Sequence, residues 1–470
     1  TQALGGCTPE GSLGSLVLIS PSSSVQGHLS DPITSIRDRI ASLRHRVSVL
    51  LPKGLGSRTD GRSWFRAATA IGTSLTQSGH EVSFAELPDR LDGSDADGTI
   101  VVGPAKSIEA SGWVPPRGMS ASTGLALGVA GGSPVLALTR PEASAGEYLA
   151  TDADATGDSS ATTVRRLGLN RAHGHAVTLG ALGVGTDALD VGDSHTWTVN
   201  YSIADMPGSR TPDRFRAILS TPSATGRWHF LVTAELNNQV VYSGVARPGV
   251  DRHIDIALPM RLQRVRNTLT VTLQRDGDLG GCQRRVTPYT VQLGPQSALV
   301  WNGTDHARGL MAAAAGIAGP AVIVAPAAVV KDMPDSLNAS VPTLAELLPS
   351  LDTPRVVSKA PANRKVARVV IRAGALSGAV ARLVHSDGST TLESRRLDLD
   401  AAENTVVVSA RAAGRAPARL LLAYVGDVRE QGDLDFGPEA AMVVTANGPS
   451  FAITADGRVH REVIARADPS

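Results

Sequence analysis

The 470 residues carry 45 basic and 44 acidic side chains, a net charge of +1. The broad positive field that gathers nucleic acid or an anionic membrane is therefore missing, and no nucleic-acid partner is expected. That length sustains about three domains, each with its own core, and 42% hydrophobic residues with 48 Gly and 28 Pro describe a folded, turn-rich chain, not a disordered one.

Chain order begins with Thr1, without a Met or a signal-peptide pattern, as expected of a mature or trimmed product. Residues 1–30 then match a later part of the chain. Gly5-Gly6-Cys7 recurs as Gly280-Gly281-Cys282, and the strand and loop of residues 15–27 lie against 289–301, with Pro21 over Pro295 and Ser23 over Ser297. From there the register holds at an offset of 274: Asp31 falls on Asp305, the apolar helical stretch Ile36 to Leu43 on Leu310 to Ile317, and VSVLLP (47–52) on AVIVAP (321–326). A strand, loop, helix and strand in one register mark an internal repeat, the end of one domain followed by the start of the next. Residues 1–30 are thus read as the C-terminal remnant of a first β-sandwich, and the chain as a shortened form of a longer tandem protein.

Residues 31–150 alternate short apolar runs with a helical period: RVSVLLP, a helix through Trp64 to Thr76, EVSFAEL, TIVVG, GLALGVA, PVLALT and a helix from Pro141 to Ala150. This predicts an α/β layer with a largely parallel, flavodoxin-like sheet. Its loop GLGSRTDG (54–61) follows a strand and precedes a helix, the place where glycines let backbone N–H groups reach a phosphate. The spacing fits neither standard phosphate-binding pattern, and no acid ends the next strand as a ribose ligand. The loop therefore reads as a turn with Asp60 as helix N-cap. Trp64 and Phe65 lie within the following helix and Trp113 beyond another strand, so no pair of rings flanks a flavin. No cofactor is expected on this chain.

A polar linker, residues 151–163, leads to residues 164–303, where only strands are predicted: HTWTVNYSI, RFRAILS, WHFLVTAEL, QVVYSGV, HIDIALP, NTLTVTLQ and TVQLG. Seven short alternating strands predict a β-sandwich of jelly-roll type. Eight of the 16 aromatic residues fall between Trp197 and Trp301, several beside Arg, His or Asn. Sugar C–H faces stack on rings and sugar hydroxyls seek such polar groups, so Trp197, Tyr201 and Trp228, with Arg214, Arg216, Asn237 and Asn238, are the glycan-binding candidates. The competing reading places these rings in the sandwich core. On a strand, His173 and His175 would share a face, a metal-ligand geometry, but no third ligand is near in sequence; the pair is read as a turn with two solvated histidines, and no metal site is expected. Carboxylate pairs such as Asp251/Asp255 and Asp433/Asp435 have the composition of a glycosidase acid and base, as do surface turns generally; no catalytic residue is assigned. Residues 304–470 are read as a second, divergent flavodoxin-like/β domain, with a helix over VPTLAELLPSL (341–351) and strands thereafter. The sequence leaves open whether those strands complete an α/β sheet or form a third β layer. Cys7 and Cys282 occupy matching places in the repeat; an oxidising compartment would allow a bridge, a reducing one two free thiols.

The order of these parts resembles the periplasmic B subunit of bacterial cellulose synthase, often labelled the cyclic di-GMP-binding regulatory subunit. The resemblance rests on RRLGLNRAHG (165–174), AELNNQVVYSG (234–244), IALPMRLQRVRNTLTVTL (256–273) and GGC followed by a strand and SAL (280–299). Against that pattern, the family's C-terminal membrane helix and all but a remnant of the first sandwich are expected to be absent from these 470 residues, and the final hundred residues match poorly. What the resemblance implies is carbohydrate-binding-like sandwiches alternating with flavodoxin-like domains in a non-catalytic subunit, periplasmic and held at the inner membrane. Its partners would be the membrane-embedded catalytic subunit, which uses UDP-glucose and binds the cyclic di-GMP, the emerging β-1,4-glucan, and neighbouring copies of itself. A periplasmic setting would bridge Cys7 to Cys282. Two other readings stand beside it: a secreted polysaccharide-active hydrolase, and a purely structural envelope scaffold.

Overall fold

The computed structural model describes residues 32–92, 98–151, 157–163, 176–182, 184–192, 194–206, 211–222, 229–246, 252–276, 289–301, 307–317, 320–349, 353–362, 366–373, 381–386, 389–394, 398–401, 405–411, 418–426, 428, 434, 436–445, 450–454 and 458–462. These residues form a mixed α/β protein in three parts. No helix among them is long and apolar enough to cross a membrane.

The first part opens with α1 (Ile36–Ala41), nucleated by a capping box. The Ser35 hydroxyl accepts from the Asp38 N–H, and the Asp38 carboxylate accepts from the Ser35 N–H. There follow β1 (Arg46–Leu51), α2 (Gly61–Gln77), β2 (Glu81–Glu86), β3 (Thr99–Val102), α3 (Ala105–Glu109), β4 (Leu125–Ala130), β5 (Ser133–Leu138), α4 (Ser144–Thr151) and β6 (Ala161–Thr162). The sheet order is β2-β1-β3-β5-β4-β6; the first four strands are parallel, and β4 runs antiparallel to β5 and to β6. The inner parallel strands, above all β3, are buried on both faces and read as continuous apolar runs, whereas the edge strand β2 is largely exposed. Val47, Val49 and Leu51 face the core shared with α2 and α4, whereas Leu50, Val101 and Ala137 pack with Trp113 and Ile108 on the other side.

The second part holds β7 (Ala176–Thr178), β8 (Leu189–Val191), β9 (Ser194–Ser202), β10 (Arg214–Ser220), β11 (His229–Leu236), β12 (Gln239–Ala246), β13 (Arg252–Ala257), β14 (Arg266–Asp276), β15 (Tyr289–Leu293) and β16 (Ala298–Val300). One antiparallel sheet has the order β12-β11-β14-β9. In the other, β10 pairs with β13 on one side and with β15 and β16 on the other, and these continue to β8 and β7. Alternate residues of both sheets, among them Val199, Phe230, Val271, Phe215 and Leu219, meet in one core. The short β7, β8 and β16 have no counterpart among the seven strands expected.

The third part comprises α5 (Gly309–Ile317), β17 (Ala321–Val324), α6 (Ala327–Lys331), α7 (Met333–Leu347), β18 (Arg355–Val357), β19 (Ala367–Ala373), β20 (Ala381–Ser386), β21 (Ser389–Ser394), β22 (Asp398–Ala401), β23 (Thr405–Arg411), β24 (Arg419–Val425), β25 (Ala441–Thr445), β26 (Ser450–Ile453) and β27 (Val459–Glu462). Its main sheet runs β18-β17-β19-β24-β23-β25-β26-β27, with the first four strands parallel. Strand for strand this repeats the first sheet: β18, β17, β19, β24, β23 and β25 stand where β2, β1, β3, β5, β4 and β6 stand. The late strands therefore complete an α/β sheet, with β20–β22 as a separate small sheet inserted after β19. The helix expected over 341–351 begins earlier, at Met333, with Pro334 in its first turn and Pro342 inside it. Pro and Asp at a helix start resemble a turn when read without the structure.

The two α/β parts pack through equivalent elements. Helix α2 meets α7, α2 reaches β18, α7 reaches β2, and the turn Leu55–Ser57 meets α6. Gly72 sits on this seam, where an added Cβ would lie 2.5 Å from the Phe84 ring and 2.9 Å from the Val341 side chain. Polar ties fix the register. The Asn338 amide grips the edge strand β2, its Oδ1 accepting from the Phe84 N–H at 2.7 Å and its Nδ2 donating to the Phe84 carbonyl at 2.8 Å. Arg66 donates twice to the Thr353 carbonyl, and Gln77 donates to that of Ala345.

Candidate functional site

The predicted glycan residues are distributed over three places by the alternation of the strands. β9 is unbroken, so Trp197, Val199 and Tyr201 share one face, and that face is the core. Trp197 is 4% and Tyr201 5% exposed. Neither ring can lie against a polymer, and the expected stacking platform is corrected on this point: both are sandwich core. Burial pushes the Tyr201 phenol well above its ordinary range, and its hydroxyl donates to Gln263 Oε1 at 3.4 Å. Trp228 lies outside the described residues.

Arg214 and Arg216 project from β10 to the outer surface of the other sheet. There Arg216 stands opposite Asp255 of β13, Nε to Oδ1 3.5 Å, with His253 exposed beside them. Asn237 and Asn238 form the two-residue turn joining β11 to β12, with φ of 50° and 63°, the left-handed region that Asn tolerates. Asn237 is also a tie: its Nδ2 donates to the Leu262 carbonyl and to Asn267 Oδ1, and its Oδ1 accepts from the Thr268 N–H. Its role is structural.

Sequence reasoning passed over the outer face of the β12-β11-β14-β9 sheet. Since Leu269, Val271 and Leu273 point inward, Thr268, Thr270, Thr272 and Gln274 of β14 point outward. Each stands opposite a polar residue of β9: Asn200, Thr198, Thr196 and Ser194, respectively. On β11, Thr233 continues the row of Thr272 and Glu235 that of Thr270, and Ser243 of β12 extends the first row. The Thr196 and Thr272 hydroxyls lie 2.9 Å apart, and the Thr268 hydroxyl donates to Asn200 Oδ1 at 3.0 Å. Leu231 and Val245 close one corner of this face. The signal was present as T-x-T spacing in HTWT and TLTVT, but threonine in an exposed strand is also simply a good strand former.

The loop 54–61 is a packed turn. Asp60 precedes α2 without capping it; its carboxylate instead accepts from Arg58 Nε at 3.0 Å and Trp64 Nε1 at 2.9 Å. Partial burial raises this carboxyl, but the bonds from Arg58 and Trp64 prevail and hold it low. Gly56 is pressed against the third part: a Cβ there would stand 1.8 Å from the Val330 carbonyl oxygen. Trp64, Phe65 and Trp113 are all buried. Near the equivalent turn of the third part, Ser336 and Tyr424 share a 2.6 Å hydrogen bond, and burial together with Asp335 raises the Asp332 carboxyl. Cys7, His173, His175, Asp251, Cys282, Asp433 and Asp435 lie outside the described residues, and no group of three or more metal-ligating side chains occurs among those described. No protein-family profile matches the sequence, and no curated protein is significantly similar to it.

Proposed function

We propose that the chain is a non-catalytic periplasmic subunit of a cellulose synthase complex, supporting the membrane glycosyltransferase and guiding the emerging β-1,4-glucan. One observation carries the reading: a two-sheet β part stands between two α/β parts that share one six-strand order, the alternation that the sequence resemblance implies. In this reading the α/β parts are flavodoxin-like spacers, docked rigidly on one another, and the β part is a carbohydrate-binding-like jelly roll. Cyclic di-GMP and UDP-glucose are bound by the catalytic partner, and Cys7 is bridged to Cys282 at the periplasmic face of the inner membrane.

The test is reconstitution. A cellulose synthase catalytic subunit from the same source, in lipid nanodiscs with UDP-glucose and cyclic di-GMP, is expected to make polymer in the presence of this chain and little without it. Equal synthesis in both cases, or release of reducing sugar from soluble glucan by this chain alone, overturns the proposal.

A further inference from the structure

We infer that the outer face of the β12-β11-β14-β9 sheet is a contact surface for a neutral polyhydroxylated polymer; this rests on the glucan-guiding reading and names the surface that serves it. The first argument is charge. The face presents Ser194, Thr196, Thr198 and Asn200 beside Gln274, Thr272, Thr270 and Thr268; Glu235 is the charged side chain within these rows, His229 stands at one end and Arg266 at the other, and Leu231, Val240 and Val245 are exposed apolar residues on the β11 and β12 side. The opposite outer face of the same β part carries Arg214, Arg216, His253 and Asp255, all exposed. One molecule thus offers two sheet surfaces of contrasting character. With Arg266 engaged by Glu346 and the Ala345 carbonyl, an anionic polymer meets little positive charge along the hydroxyl rows, whereas a neutral glycan loses no ionic hydration by approaching them.

The second argument is hydrogen-bond chemistry. A threonine hydroxyl both donates and accepts, as a sugar hydroxyl does, so pairing needs no fixed orientation of the polymer. At about 4.8 Å between strands and roughly 7 Å between outward residues, the polar rows extend roughly 20 Å along β9 and β14, and the row from Thr196 through Thr272 and Thr233 to Ser243 crosses all four strands over roughly 14 Å, room for several sugar units. Each contact exchanges a bond to water for a similar one, and the net gain per contact is small. A chain held by many weak, equivalent contacts can slide. Deep aromatic anchors would hold it in place, and Trp197 and Tyr201 are turned inward.

The experiment uses the full chain with labelled threonine methyl groups, titrated with cellohexaose and separately with polygalacturonate. Methyl signals of Thr196, Thr198, Thr268, Thr270 and Thr272 are expected to shift with cellohexaose and stay with polygalacturonate, while Thr290 on the other sheet stays throughout. The pair Thr196→Lys/Thr198→Lys, on an exposed edge strand, is expected to weaken cellohexaose binding about tenfold or more. The isosteric Thr198→Val/Thr270→Val pair, which removes only hydroxyls, is expected to weaken it less and serves if the lysine pair does not fold. Absence of these shifts, shifts confined to the Arg214/Arg216 side, or equal response to polygalacturonate overturns the inference. The reconstituted synthase separates the two proposals. Full polymer yield with the lysine pair rejects this face while the subunit reading stands; cellohexaose binding by a chain that does not support synthesis rejects the subunit reading alone.

Discussion

Asn338 shows how one side chain holds two parts of a molecule in register. An edge strand in a parallel sheet leaves N–H and C=O groups without a strand partner, and at Phe84 a single carboxamide supplies both complements. Asn338→Ala is expected to orphan two buried backbone groups and to lower unfolding stability by about 2–4 kcal/mol, measured by chemical denaturation. Asn338→Asp keeps the acceptor but turns a second oxygen toward the Phe84 carbonyl. That loss is expected to be at least as large at neutral pH and to shrink as acid protonates the carboxyl. Tyr201 gives a second test. Its folded-state pKa is raised by burial, so above the ordinary phenol range, near 10, the unfolded chain ionises first and binds fewer protons. Stability then falls with rising pH by about 1.4 kcal/mol per unit, and Tyr201→Phe is expected to remove that part of the alkaline slope at a neutral-pH cost of about 1 kcal/mol or less. An unchanged slope would mean the phenol reaches water.

At the scale of elements, the seam between the two α/β parts depends on the absence of side chains where backbones approach, as where the turn Leu55–Ser57 meets α6. Gly56→Ala would drive a methyl group into the Val330 carbonyl, and a melting-temperature loss equivalent to at least about 1–3 kcal/mol is expected. Much of the fold could be read in advance because its signals were periodic. The alternation of HTWTVNYSI and NTLTVTLQ gave β9 and β14, and the 274-residue register gave the correspondence of β1 with β17. What could not be read had no such signal. The short β7, β8 and β16 are three residues each, too brief for a period to declare itself. The start of α7 lies in a stretch of Pro, Asp, Ser and Asn whose local preference is for a turn. Trp197 and Tyr201 were misplaced for another reason: the unbroken β9 turns both the same way, but which side of it is the core depends on the second sheet. The hydroxyl face was the other half of that unresolved choice.

Across the whole molecule, one continuous cluster of buried apolar residues runs from Ile36 in α1 through Trp197 and Phe215 to Val444 in β25. The β part is tied into the third part as well: Arg266 donates to the Ala345 carbonyl at 2.6 Å, its Nε lies 3.2 Å from Glu346 Oε2, and the Val265 N–H donates to the Phe436 carbonyl. Parts so joined are expected to unfold together. Calorimetry should give one transition whose calorimetric and van't Hoff enthalpies agree, and separated transitions would mean that the seams are weaker than their contacts.

The meeting of Gly56 with Val330 has a meaning beyond sterics, because the two positions are counterparts, 274 residues apart in the repeat. In a symmetric pair of identical chains, a residue on the axis faces itself, and any substitution there is imposed on both sides at once. Joining the two copies in one chain lifts that obligation: one side of the axis is emptied to glycine while the other keeps a branched apolar residue in the core. The same freedom applies outward from the axis, and it lets the third part carry the extra sheet β20–β22 and the strands β26 and β27 without a matching burden on the first.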